Sequence, residues 1–272
     1  MKYRAFVFVP YDDLLLANLS MIGFDSFQEE GSELLGYVEE NRLEEDIVDY
    51  MTQYCIGRNI EWKEIKVEEK NWNQIWESSF EPVYVDDFCL IKASFHKLKS
   101  NTTYVINIDP KMAFGTGHHH TTYMMIQAMQ MLDFANKSVL DYGSGTGVLA
   151  ILAEMMGARI IDALDIEENS FENIQENCSV NQCEKINPIL GTIDDVDGKY
   201  DIILANINRN VLLETADLVR DRLSEKGVLV LSGILSGDLD LITDKYRKLG
   251  FVKEKLYQKS NWAAIYFTLS CL

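Results

Sequence analysis

Val139-Leu140-Asp141-Tyr142-Gly143-Ser144-Gly145-Thr146-Gly147, continued by Val148-Leu149-Ala150-Ile151-Leu152-Ala153-Glu154-Met155-Met156, decides the architecture. Val139 and Leu140 read as a buried strand, the three glycines as a turn, and the apolar run after them as a helix. That helix stops at Gly157, a residue type favoured just past helix ends. Three glycines in five positions let the backbone turn sharply and approach a ligand closely. The start of the helix directs free amide hydrogens at whatever sits there. Strand, glycine turn and helix in this order mark the ligand-binding edge of an open α/β sheet.

The residues around the turn discriminate between ligands. A dinucleotide fingerprint requires Gly-x-Gly-x-x-Gly, whereas here the third glycine falls one residue early and Val148 takes its expected place. Asp141 stands two residues before the first glycine. A carboxylate at that mouth repels a pyrophosphate and attracts an ammonium group. The ligand with an adenosine end and a cationic amino-acid end is S-adenosylmethionine. The next strand, Arg159-Ile160-Ile161-Asp162-Ala163-Leu164-Asp165, ends in an acid at about the spacing at which a carboxylate accepts hydrogen bonds from ribose hydroxyls. The alternative role for Asp165 is to cap the helix that follows from Glu167.

Downstream the chain alternates. Helix 168–181, strand 186–190, strand 201–205 ending at Asn206, helix 211–223, strand 227–231 and helix 238–249 precede a final hairpin of strands 251–258 and 262–269. Such alternation builds a mostly parallel sheet with helices on both faces. Residues 1–66 follow a different order, β-α-β-β-α-β, which is the ferredoxin-like arrangement. The expected organisation is therefore an α+β ferredoxin-like domain over 1–66, a linker over 67–100 and an α/β, Rossmann-like domain over 101–272. Trp72 and Trp76 in the linker read as packing residues of the domain junction.

Charge and composition limit the partners. The net charge is −18, which disfavours direct contact with nucleic acid and suits a basic protein. Residues 1–66 hold fourteen acids against six bases, so the acidic excess is concentrated there. That pattern fits either a solvated face or a docking surface for a basic protein. No apolar run reaches membrane-spanning length, and the apolar stretch near Met1 is too short for a signal peptide. Five scattered cysteines without a Cys-x-x-Cys pair suit free thiols in a reducing cytoplasm. His118, His119 and His120 are adjacent, so they do not share a helix face, and no metal site is expected. A glycine-rich loop that covers the cofactor, with threonine hydroxyls bonding to it, is the preferred reading of that stretch.

Three motifs together resemble a known family. Phe114-Gly115-Thr116-Gly117-His118-His119-His120-Thr121-Thr122, Leu140-Asp141-Tyr142-Gly143-Ser144-Gly145-Thr146-Gly147-Val148-Leu149-Ala150 and Ala205-Asn206-Ile207 closely resemble the ribosomal protein L11 methyltransferases. The resemblance covers roughly residues 68–268, and the first loop is its most specific part. It implies a class I methyltransferase domain joined by a flexible linker to a small N-terminal domain that recognises the ribosomal protein. It also implies N-methylation of lysine side chains and of the substrate's N-terminal amine. By motif position, cofactor contacts fall on Thr122, Gly143, Asp165 and Asn206. Asp141 and Gly145 join them from the reading of the turn.

Asn206, at the C-terminal end of its strand, is the candidate catalytic residue, holding the acceptor amine in line with the methyl group. Its alternative role, capping the helix from Val211, is disfavoured by the spacing. A class I methyltransferase acting on another protein or a small amine keeps the same fold and cofactor. A dinucleotide-dependent oxidoreductase is disfavoured by Asp141 and Val148, and a cofactor-binding protein without catalysis is the third alternative.

Overall fold

The computed structural model describes residues 3–39, 43, 45–65, 81–109, 115 and 117–270. The chain separates into two compact units, Met1–Ser79 and Phe80–Leu272. Trp72 and Trp76 lie outside the described residues, as do Phe114 and Thr116 of the first loop motif.

The first unit runs β1 (Tyr3–Val9), α1 (Asp13–Met21), β2 (Phe24–Glu30), β3 (Glu33–Glu39), α2 (Glu45–Gly57) and β4 (Glu61–Ile65). Its sheet order is β2-β3-β1-β4, with every neighbouring pair antiparallel. This is the split β-α-β arrangement expected from the element order. Period-two alternation sends Phe6 and Phe8 of β1 and Leu34 and Val38 of β3 to one face. There they meet Leu15 and Leu19 of α1 and Met51 and Cys55 of α2, each pair four residues apart on one helical stripe. Asp12 starts α1 by accepting the Leu15 amide at 2.7 Å.

The second unit carries β5 (Val83–Val85), β6 (Cys89–Lys92), β7 (Tyr104–Asn107), α3 (His120–Met129), β8 (Ser138–Tyr142), α4 (Val148–Met155), β9 (Ile160–Asp165) and α5 (Glu168–Val180). It continues with β10 (Ile186–Leu190), β11 (Tyr200–Asn206), α6 (Arg209–Glu214), α7 (Ala216–Arg222), β12 (Leu223–Leu235), α8 (Leu239–Lys248), β13 (Phe251–Lys259) and β14 (Trp262–Leu269). The main sheet has the order β10-β9-β8-β11-β12-β14-β13. Its first four pairings are parallel and the terminal hairpin is antiparallel. Strand order reverses between β8 and β11, and ligands of open α/β sheets bind beyond the strand ends at such a switch point.

Alternate residues of each central strand feed separate cores on the two faces. Val139, Ile202, Leu204 and Val230 join α3, α4 and α5 on one side. Leu140, Ile203, Ala205, Leu229 and Leu231 join α6, α7 and α8 on the other. Burial on both faces explains why these strands read as continuous apolar runs.

Two elements differ from the sequence-based expectation. Within the segment 67–100, where a strand is expected only over 89–93, β5 is added to β6, and the two form a three-stranded sheet with β7. Val85, Cys89 and Ile91 are buried in the same core as α3 and α4, so this segment contributes packing that a linker does not. The helix expected over 211–223 is two short helices that meet at Thr215, whose hydroxyl donates back to the Val211 carbonyl at 2.8 Å.

Candidate active site

A cavity of about 630 Å³ lies along the C-terminal ends of the parallel strands. Its lining spans the sheet from Gly191, just after β10, through Gly143, Gly145, Asp165 and Asn206, to Trp262 at the start of β14. This size is within the range of small-molecule sites.

The glycine turn is shaped for close approach. Gly143 has φ +75°, and a Cβ there would run into Ile207 Cγ2. Gly145 and Gly147 are also left-handed. The amides of the turn, however, are mostly engaged within the protein. Gly143 and Ser144 both donate to the Leu164 carbonyl, at 2.8 and 3.0 Å, and Gly147 donates to Ser144 at 2.9 Å. Gly145 donates to Asp165 Oδ2 at 2.8 Å. The end of β9 thus engages the turn ahead of the helix, and at the helix start itself the Ala150 amide donates to Asp141 Oδ2 at 3.1 Å. The amides of Gly143, Ser144 and Gly145, engaged in this way, are not offered to a pyrophosphate.

Asp165 is buried and lines the cavity from the end of β9. Its Oδ1 accepts the Glu167 amide at 3.0 Å, while Glu167 itself occupies the cap position of α5. The carboxylate therefore ties β9 to the glycine turn and still faces the cavity. Ile166, next to it, lines the cavity although 66% exposed.

Asp141 is placed differently from its expected position at the mouth. It is 1% exposed and is not among the residues that line the cavity. Its Oδ2 accepts the Ser144 hydroxyl at 2.6 Å and the Ala150 amide at 3.1 Å, bracing the turn and the start of α4 from behind. Oδ1 has no partner. Burial pushes this carboxyl up to about 7; the two hydrogen bonds oppose the rise and the charge of Asp165 adds to it. Strand alternation accounts for the difference. Tyr142, one residue on, faces the cavity, and Asp141 faces the other side.

Asn206 ends β11 and lines the cavity. Its Nδ2 donates to Thr122 Oγ1 at 3.4 Å, and its buried Oδ1 has no partner among the described residues. The cap of α6 is Asn208, whose side chain accepts the Val211 amide at 3.1 Å, so Asn206 is not consumed by capping. Thr122, expected to touch the cofactor, is 0% exposed and bonds Asn206, whereas its neighbour Thr121 lines the cavity.

Other lining residues carried no separable signal in the sequence. His119 caps α3, its Nδ1 accepting the Thr121 amide at 3.4 Å and lying 2.7 Å from the Thr121 hydroxyl. Burial, and then the adjacent His120, hold its imidazole below the usual histidine range. Trp262 meets the His119 ring at 4.7 Å between centroids, with the planes 73° apart. Behind the cavity, asparagines on α5 fasten the approach to the loop. Asn181 exchanges two bonds with the Asn107 backbone, at 2.6 and 2.8 Å. Asn177 accepts the Asp109 amide at 3.1 Å and donates to the Thr146 carbonyl at 2.9 Å, joining the loop to the glycine turn. The four-residue spacing of Asn173, Asn177 and Asn181 was visible, but a polar helical stripe ordinarily faces solvent.

The donor set fits a cationic nucleoside ligand: a carboxylate at the β9 end, engaged turn amides, apolar walls and an asparagine amide at the β11 end. With this strand order and its antiparallel hairpin, fold and site define a class I, S-adenosylmethionine-dependent methyltransferase. The family model described as ribosomal protein L11 methyltransferase (PrmA) matches residues 20–270, and the chain belongs to that family. A ribosomal protein L11 methyltransferase of Porphyromonas gingivalis is 36% identical over 94% of this chain and 90% of its own length. That of Bacteroides thetaiotaomicron is 36% identical over 98% of this chain and 100% of its own. The crystal structure of a ribosomal protein L11 methylase from Lactobacillus delbrueckii subsp. bulgaricus superposes with a TM-score of 0.67 at 26% identity, covering 71% of this chain and 100% of that one.

Proposed function

We propose that this enzyme N-methylates ribosomal protein L11, on lysine side chains and on the N-terminal amine, with Asn206 as the residue that positions the acceptor. The observation that carries the reading is Asn206 on the cavity wall, across the switch point from the glycine turn, with a buried Oδ1 that has no partner among the described residues. The names of the relatives in this family support the choice of substrate.

When bound, S-adenosylmethionine supplies a methyl group attached to a positively charged sulfur. Asp165 accepts the ribose hydroxyls, and the bare backbone of Gly143 and Gly145 lets the nucleoside lie close. Asp141 keeps the turn in shape from behind, and Thr122 holds the Asn206 amide so that its oxygen faces the acceptor.

A lysine amine with a pKa of about 10.4 costs roughly 4–5 kcal/mol to deprotonate at pH 7, against about 1 for an α-amine near 7.7–8. A partly desolvated pocket lowers that cost without a dedicated base. Asn206 accepts a hydrogen bond from the remaining N–H and keeps the lone pair in line, so its contribution is orientation.

In this reading the first unit docks the substrate. Ribosomal protein L11 enters as a basic protein, and the acidic excess of residues 1–66 supports attraction to it without direct contact with nucleic acid. The reaction belongs in the cytoplasm. Among the described residues no helix is long and apolar enough to cross a membrane, and Cys55, Cys89, Cys178 and Cys183 are free thiols.

The deciding experiment is intact-mass spectrometry of ribosomal protein L11 from cells with and without this enzyme, followed by transfer of labelled methyl groups in vitro. Loss of 14-dalton increments on that protein alone supports the reading, and an unchanged L11 mass defeats it.

A further inference from the structure

We propose that Thr146 is a positioning residue: it clamps the chain ahead of α3 onto the glycine turn, and so sets the start of α3 relative to the bound cofactor. Its effect on turnover rests on the reading that Thr122 and Asn206, reached through that helix start, position the acceptor.

Thr146 stands inside the turn between the left-handed Gly145 and Gly147, and it is 0% exposed. Gly145 lines the cavity and Thr146 does not, so the threonine works from behind the wall. A threonine in a turn ordinarily bonds backbone close to itself. Here the hydroxyl crosses instead to the Gly115 carbonyl at 2.8 Å. The Thr146 carbonyl is engaged as well, accepting Asn177 Nδ2 at 2.9 Å. Asn177 in turn accepts the Asp109 amide at 3.1 Å, and Asn173 donates to the Asp109 carbonyl at 3.4 Å. The chain at Asp109, just past β7, and the chain at Gly115, ahead of α3, are thus both tied to one residue of the glycine turn.

The fit is close on the Gly115 side. Gly115 has φ +108°, and a Cβ there would come within 2.8 Å of Thr146 Oγ1. His119, the cap of α3, follows shortly after. Thr121 then lines the cavity, and Thr122 bonds Asn206. A short run of backbone therefore leads from the clamp to the residues that face the reaction.

The turn is the fixed side of the clamp. The amides of Gly143, Ser144, Gly145 and Gly147 are all bonded within the protein, so a displacement at Thr146 is taken up by Gly115 and the start of α3. A methyl group in place of the hydroxyl supplies that displacement. A carbon rests about 3.3–3.6 Å from a carbonyl oxygen, against 2.8 Å for the hydroxyl here, so Gly115 retreats by roughly 0.5 Å or more. The contacts assigned to the cofactor on Asp165, Gly143 and Gly145 stay in place, while Thr122 moves with α3.

The test compares wild type with Thr146→Val and Thr146→Ser, in methyl transfer to ribosomal protein L11 and in calorimetry of S-adenosylhomocysteine. Thr146→Val is expected to lower kcat about tenfold, below the roughly hundredfold scale of a 1 Å misplacement, with cofactor affinity within about threefold of wild type. Thr146→Ser keeps the hydroxyl and is expected to recover at least half of the wild-type kcat. Thr146→Ala loses the hydroxyl and crowds nothing; at least a threefold loss is expected, which guards against misfolding of the valine variant. In an Asn206→Ala background the further loss from Thr146→Val should be below about twofold, because the two act through one contact. Wild-type kcat in the valine and alanine variants, a serine variant as slow as the valine one, a loss confined to cofactor affinity, or losses that multiply in the double variant overturns the proposal.

A second measurement needs no turnover and reads the clamp itself. The Thr121 amide donates to His119 Nδ1 and the Tyr123 amide to the His119 carbonyl. In enzyme loaded with S-adenosylhomocysteine, Thr146→Val is expected to speed hydrogen exchange of both at least fivefold. The Ile151 amide of α4, bonded to the Gly147 carbonyl, should keep its wild-type rate. Unchanged rates at Thr121 and Tyr123 overturn the clamp. So does a rise shared by Ile151, because a loss of overall stability reaches core amides as well. If Asn206→Ala turns over like wild type while the exchange pattern holds, the Asn206 reading has failed and the clamp stands.

Discussion

Asn206 Nδ2 donates to Thr122 Oγ1 at 3.4 Å across 84 residues of sequence, so the first turn of α3 and the end of β11 share one side-chain contact at the cavity wall. The asparagine's amide is oriented by the threonine, and the oxygen left over is the one without a partner.

Asn206→Ala is expected to lower kcat by about a hundredfold or more, the scale on which misplacement by about 1 Å acts. Thr122→Val leaves the asparagine in place but free to turn, and a loss of about tenfold in kcat is expected, with Thr122→Ser restoring most of it. Cofactor affinity should change little in either variant. Steady-state kinetics with calorimetry of S-adenosylhomocysteine binding checks this, and wild-type kcat in Asn206→Ala removes the residue from the mechanism.

Asp165→Asn removes a charge that accepts the Gly145 and Glu167 amides, at 2.8 and 3.0 Å. Hydrogen bonds to a charged group contribute about 1.5–3 kcal/mol each. Cofactor affinity is expected to fall roughly ten- to a hundredfold, measured by calorimetry, and kcat at saturating cofactor should fall far less. An unchanged Kd would place the nucleoside elsewhere in the cavity.

Asp141 makes stability depend on pH in a stated direction. Its carboxyl stands at about 7 in the folded chain against an ordinary value of 3.8, because it is buried. Between those values the unfolded chain has lost the proton and the folded chain retains it. Stability therefore falls as pH rises through the window, by roughly 4 kcal/mol from one end to the other. Asp141→Asn lacks this slope. Urea unfolding at pH 5 and pH 8 should show the variant gaining on wild type as pH rises, and parallel pH profiles would contradict the buried, partnerless Oδ1 as the source.

Asn177 is fully buried and bonded to both the Asp109 amide and the Thr146 carbonyl. Asn177→Ala leaves one buried and one half-buried backbone group without their partner, at about 1–3 kcal/mol each. A destabilisation of roughly 2–4 kcal/mol in chemical unfolding is expected. A change below about 0.5 kcal/mol would mean that water replaces the amide in full.

The order of most elements, the division into two units, the glycine turn and the strand-end places of Asp165 and Asn206 were legible from residue pattern alone. Local chemistry determines them: periodicity sets strand and helix, glycine permits left-handed backbone, and an acid at a strand end falls at a predictable place. Asp141 was misplaced because one step of strand alternation decides which side of the turn a carboxylate faces. Thr122 was expected at the cofactor, but the helix start turns its hydroxyl to Asn206 and places Thr121 on the cavity lining. Trp262, Gly233, His119 and the asparagines of α5 belong to strands and helices far apart in sequence. Only the antiparallel return of β14 and the packing of α3 and α5 bring them to the cavity and its supports, because contact between distant residues is a property of strand order and not of local spacing.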